Sequence, residues 1–115
     1  MAEYTLKDEY ENFSTEDIFD TVMQFARKKE HYLTVSGRAG QVVQNITDDS
    51  IIILRDGNKS HSPVITFNEI KEVIDLCRER MINTSNKEYH NLLSNPLNKT
   101  SLLSLLCASK ILKVV

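Results

Sequence analysis

Glycine is scarce in this 115-residue chain, which holds 3, and proline scarcer still at 2. So little glycine leaves no Walker-type loop and little material for any backbone cradle around a phosphate. Cysteine is as rare: Cys77 and Cys107 stand alone, both inside apolar helical patterns, as expected of buried thiols acting as small hydrophobes. Their spacing supplies no partners for a disulfide or a metal. His31, His61 and His90 lie in three different segments, and no two are placed at i, i+3 or i, i+4. Neither a zinc site, another metal nor a cofactor is therefore expected. No apolar run approaches the roughly 20 residues that span a bilayer. The start, Met1-Ala2-Glu3-Tyr4, is acidic and lacks the basic-then-apolar layout of a signal peptide. The expectation is a cytoplasmic protein with no membrane partner.

What is present is the composition of one ordinary globular domain, 41% hydrophobic and 26% charged. The net charge of −2 hides an asymmetry. Residues 1–20 carry one lysine against seven acids, a balance of −6, so the remainder balances at +4. Residues 1–12 are accordingly read as an acidic, flexible leader, and residues 13–115 as a single domain.

Periodicity gives the elements. Ser14 caps a first helix, Asp17 stands three residues on as a capping-box variant, and Phe13 and Ile18 are placed to staple its start. Ile18, Val22 and Ala26 make its apolar stripe, with Phe19 and Met23 beside it, and Arg27, Lys28 and Lys29 close it where positive charge suits the dipole. A β-rich middle follows, with short strands separated by turn signals at Thr47-Asp48-Asp49-Ser50 and Asp56-Gly57-Asn58-Lys59. Pro63 belongs at a strand start or a sheet edge. Thr66 and Glu69 then form a capping box, with Ile65 and Ile70 as staple. Ile70, Val73, Ile74, Cys77 and Met81 share one core-facing stripe of a helix over 66–81. A short helix over about 85–93 is ended by Pro96, and a last helix over 101–113 is apolar on almost every side. The fold class predicted is α+β: an N-terminal helix, an antiparallel meander of three or four strands, then two or three helices.

The stretch TVSGRAGQVVQNI, residues 34–46, admits two readings. Gly37-Arg38-Ala39-Gly40 is a G-x-x-G with a basic residue, and it resembles the clamp by which KH domains hold a single-stranded backbone. That reading implies a helix where Val43 and Ile46 stand. The second reading, preferred here, is a β hairpin in which Gly37 and Gly40 supply positive φ or room for a bulge, leaving Arg38 exposed at the turn. Residues 41–46 running into Thr47-Asp48-Asp49 suit a strand and turn better than a helix.

Under the second reading, a strand over 34–38 ending in Gly-Arg, strands over 41–46 and 51–55 around an acidic turn, and a strand over 64–66 before a helix resemble a wider pattern. It is similar to small α+β accessory domains found with HNH- and GIY-YIG-type nucleases and restriction proteins. The tail NKTSLLSLLCA is similar to a Ser-aromatic-x-x-x-Leu-Leu helix of such domains, with Leu102 in place of the aromatic. The resemblance implies a nucleic-acid-binding role, DNA first, linked to restriction or defence. The nuclease motifs themselves are absent: there is no His-Asn-His constellation and no Gly-Ile-Tyr to Tyr-Ile-Gly pair.

Catalysis is not expected, since Ser36 lacks a histidine in a nucleophile motif and Asp48-Asp49 suits turn chemistry. The expected function is a nonenzymatic nucleic-acid-binding module. Its face would be built from Arg38 at one turn, Arg55, Lys59 and His61 around another, and Arg27 and Lys28 at the end of the first helix. The rival expectation is a homodimer or protein partner held through the apolar residues 102–112. That helix could equally be central in the chain's own core.

Overall fold

A computed structural model of the chain describes residues 2–57 and 62–115. The capping signals start the helices where the sequence places them. Ser14 Oγ accepts the Asp17 N–H at 3.1 Å, opening α1, Thr15–Arg27. Thr66 Oγ1 accepts the Glu69 N–H at 3.1 Å while Glu69 Oε1 accepts the Thr66 N–H at 3.2 Å, a full capping box opening α2, Phe67–Glu79. Between them run β2 (Tyr32–Leu33), β3 (Gly40–Ile46), β4 (Ser50–Arg55) and β5 (Val64–Thr66), an antiparallel sheet in sequence order. The register shifts between Val43 and Asn45, a bulge in β3. The α+β meander is thus present with four strands.

Alternation along the strands separates two faces. Val43, Ile51, Ile53 and Ile65 are buried on the inner face, over which the helices pack. Gln41 is buried in that same layer, and its Nε2 donates to the Ser101 carbonyl of α4, Lys99–Ala108, at 3.1 Å. From α1 come Ile18, Val22 and Ala26, and from α2 Ile70, Val73, Ile74 and Cys77. The short helix α3, Lys87–Leu92, contributes the fully buried Tyr89.

Several expectations are corrected. Residues 1–12 are not a free leader: β1, Tyr4–Leu6, pairs antiparallel with β6, Leu112–Val114, and both Tyr4 and Leu6 are buried in the core. The last helix stops at Ala108, because Lys110 takes φ 64° and turns the chain into β6. Met81 leaves the apolar stripe, since α2 ends at Glu79 and Arg80 is already extended; Met81 is exposed. Residues 34–38 form a turn, with β2 ending before them at Leu33.

Leu102, Leu103, Leu105 and Leu106 are fully buried within the chain, and Ile111 and Leu112 are buried as well. The apolar helix is therefore central to this domain's own core, and residues 102–112 do not offer the partner surface expected of them. Residues 40–46 are strand, which removes the KH reading. Among the described residues, no helix is long and apolar enough to cross a membrane.

Candidate functional site

Arg38 sits on a turn braced at many points. The Gly37 N–H donates to the Thr34 carbonyl at 2.8 Å, and the Thr34 N–H to the Ala39 carbonyl at 2.9 Å. Thr34 Oγ1 donates to the same Ala39 carbonyl at 3.2 Å and lies 2.9 Å from Ser36 Oγ, which accepts the Arg38 N–H at 3.3 Å. The turn is tied to the helical layer as well, since the Val35 N–H donates to Ser104 Oγ of α4 at 2.9 Å. Gly37 takes φ 71° with open space around it, so its glycine is demanded by backbone conformation. Arg38 itself is exposed, and its guanidinium has no ion pair or hydrogen bond among the described residues.

Gly40 does a different job. Its φ is not left-handed, but a Cβ there would collide with the His31 imidazole and the Asp56 carboxylate. Those two side chains meet over it, with Nε2 to Oδ2 at 2.8 Å. The sequence reading missed this pair, because 25 residues separate its members and neither stands in a motif. Gly40 is the one local signal of the pair, and a turn or bulge explains a glycine there equally well.

The antiparallel register brings the end of β4 to the same end of the sheet as the 34–39 turn. Gln41 pairs with Arg55, and the Asp56 N–H donates to the Gly40 carbonyl at 3.0 Å. The 34–39 turn and the exit from β4 therefore share one end of the sheet. Arg55 is half-buried there, and its guanidinium has no partner among the described residues. Lys59 and His61, expected on the same face, lie outside the described residues.

Arg27 does not join this end. Arg27 and Lys29 border an open groove of about 500 Å³ with Met23, Asn45, Ile46, Thr47, Asp48 and Phe67. That groove is at the far end of β3, six residues from Gly40, or about 20 Å at strand rise. Lys28 borders a separate depression with Glu30, Ser109 and Lys110. The expected single positive face is thus divided: Arg38 and Arg55 stand at one end of the sheet, while Arg27 lies by the far end of β3.

Burial pushes the Cys77 thiol up to about 12 and the Cys107 thiol up to about 11, so both stay protonated at neutral pH. Cys77 is a core residue as the stripe implied, and Cys107 is half-buried. No group of three His, Cys, Asp or Glu residues able to hold a metal occurs among the described residues. The chain matches no protein-family model, no curated protein and no solved structure.

Proposed function

We propose that this domain is a nonenzymatic nucleic-acid-binding module that uses the Arg38 and Arg55 end of its sheet. One observation carries the reading: an exposed, unpartnered arginine stands on a turn fixed by a dense set of hydrogen bonds, at the same end of the sheet as a second unpartnered arginine. The fixed turn removes the backbone part of the ordering cost, and arginine's planar fork suits phosphate or a guanine edge. The resemblance to accessory domains of restriction proteins supports the same reading and points to duplex DNA. The protein-partner alternative through residues 102–112 loses its support, because that segment is buried.

Titration of short duplex and single-stranded oligonucleotides across a salt series tests the proposal. Wild-type protein should bind with affinity that falls as salt rises. Arg38→Ala should weaken binding. A loss spread over all sequences, with the salt slope flatter by about one unit, marks a phosphate contact. A loss of about 1–3 kcal/mol at one position marks a base contact. Absence of binding at low salt would end this reading.

A further inference from the structure

We propose that Ser104 is the positioning residue of the Arg38 turn, holding it in the orientation in which the arginine meets its ligand. The inference rests on the nucleic-acid reading and adds to it a residue of α4 that touches no ligand itself.

The buried stretch 101–106 of α4 is four leucines and two serines, Ser101 and Ser104, and the serines are covered as deeply as the leucines. A buried hydroxyl is costly unless it is hydrogen-bonded. The Ser101 hydroxyl has no partner among the described residues. Ser104 is engaged on both sides. Its Oγ donates to the Thr100 carbonyl at 2.6 Å, one helical turn back, and accepts the Val35 N–H at 2.9 Å. The bond to Thr100 sets the rotamer of the hydroxyl and leaves a lone pair facing Val35.

Shape and placement of the turn are held by different contacts. Hydrogen bonds among Thr34, Ser36, Gly37, Arg38 and Ala39 fix its shape. They do not fix where it stands on the domain. Its stem is short, since β2 pairs with β3 through Tyr32 with Gln41 and Leu33 with Gly40. At the base of the stem Gln41 Nε2 donates to Tyr32 Oη at 2.7 Å and to the Ser101 carbonyl at 3.1 Å, anchoring both strands to α4. At the tip, Val35 and Ser104 tie the turn to the same helix.

A turn free to pivot on a two-residue stem would point Arg38 in many directions, and a ligand would have to order it. Held at Val35, the turn keeps Arg38 in a set relation to Arg55, whose strand reaches this end through the Gln41 pairing. Ser104 lies in the core and carries no charge. Its loss should therefore lower affinity without removing an ionic contact.

Ser104→Ala is tested beside Ser101→Ala, a change of equal size on the same buried helix that removes a hydroxyl without a partner. Amide hydrogen exchange of the full chain is read first, without DNA. Val35 and Gly37 should exchange about fivefold faster or more in Ser104→Ala and not in Ser101→Ala. Exchange in α2 should shift only by the amount that each variant's thermal melt implies. Binding of Ser104→Ala to a short random-sequence duplex should weaken about three- to tenfold. Its salt slope should match wild type, whereas Arg38→Ala flattens the slope by about one unit. Turn exchange in Ser104→Ala equal to that in Ser101→Ala overturns the proposal. A loosened turn that binds duplex as tightly as wild type overturns it too. Wild type that binds no duplex at low salt ends the nucleic-acid reading and the positioning role with it, while the exchange arm shows separately whether the brace exists.

Discussion

His31 donates its Nε2–H to Asp56 Oδ2 at 2.8 Å, directly over the bare α-carbon of Gly40. Three strand segments are pinned together by this contact, since His31 leads into β2, Gly40 opens β3 and Asp56 follows β4. Both side chains are more than half exposed, so solvent screens the pair and its net worth is about 0–1 kcal/mol.

An ordering of two glycine variants follows. Gly40 is crowded, but the crowding atoms are the ends of exposed side chains that can swing into water. Gly40→Ala should therefore cost less than about 1 kcal/mol, roughly the value of the lost pair. Gly37 has open space but φ 71°, and Gly37→Ala should cost about 1–2 kcal/mol through left-handed strain. Urea melts of the two variants decide it. A Gly40→Ala variant less stable than Gly37→Ala would mean that the pair contributes more than its exposure allows.

The end of α4 contains a correctable strain. The Ile111 N–H donates to the Leu106 carbonyl and the Lys110 N–H to the Cys107 carbonyl, both at 3.0 Å, which is the hydrogen-bond pattern of a Schellman motif. Its left-handed position is normally glycine, and here it is Lys110 at φ 64°. Lys110→Gly should stabilise the protein by about 0.5–1 kcal/mol, after allowing for glycine's greater freedom in the unfolded chain. Tm should rise by a few degrees. An unchanged or lowered Tm would show that the lysine side chain contributes packing that offsets its strain.

Alkaline stability should be shaped by the buried thiol and phenol groups. Burial raises Cys77 from 9.0 to about 12, with a smaller push from Cys107, and raises Tyr32 from 10.0 to about 12. Between the ordinary and raised values the folded state holds protons that the unfolded state has released. Stability is therefore intact below about pH 9 and falls as pH rises toward 12. The urea midpoint should decline over that window, and Cys77→Ala should decline less steeply from a lower starting point. In the native protein at neutral pH, Cys107 should react with a thiol reagent before Cys77. Rapid labelling of Cys77 would contradict its core position.

Local chemistry was legible in the sequence and distant chemistry was not. Ser14 and Thr66 announce their helices within four residues, because a cap and its N3 partner are neighbours in the chain. The strands from Gln41 to Thr66 were legible because short acidic and glycine turns divide them. Met81 was misplaced because a 3.6-residue period continues on paper after the helix has ended at Glu79. The all-round apolar character of α4 was plain, but not what covers it; burial depends on strands and helices that the segment cannot encode. Arg38 and Arg55 could be placed at one end of a meander from strand parity alone. Arg27 could not, since the direction in which α1 leaves the sheet is decided by packing. The His31–Asp56 pair and the β1–β6 sheet depend on partners 25 and about 110 residues apart, and no local pattern marks either.

That last sheet supports the most direct test of the fold. Acidic composition suggested that the first residues are solvated, yet Tyr4 and Leu6 point into the core while the backbone between them is stitched on both sides. The Tyr4 N–H donates to the Ile82 carbonyl at 2.8 Å and the Ile82 N–H returns to the Tyr4 carbonyl at 2.9 Å. Across the other edge Tyr4 pairs with Val114 and Leu6 with Leu112, and the Lys7 N–H reaches the Ile111 carbonyl at 3.0 Å. Removing Leu6 beyond its Cβ leaves a hole bordered by groups that cannot all close in, so Leu6→Ala should cost about 2–5 kcal/mol. Thr5→Ala, at a half-exposed position between the two buried residues, should change stability by less than about 0.5 kcal/mol. A chain beginning at Lys7 loses both buried side chains and leaves the β6 and Ile82 backbone groups without partners, and it should melt far below the full chain or fail to fold. Thermal melts of the three variants separate a core strand from a solvated tail: a truncated chain as stable as wild type would mean that residues 1–6 are dispensable.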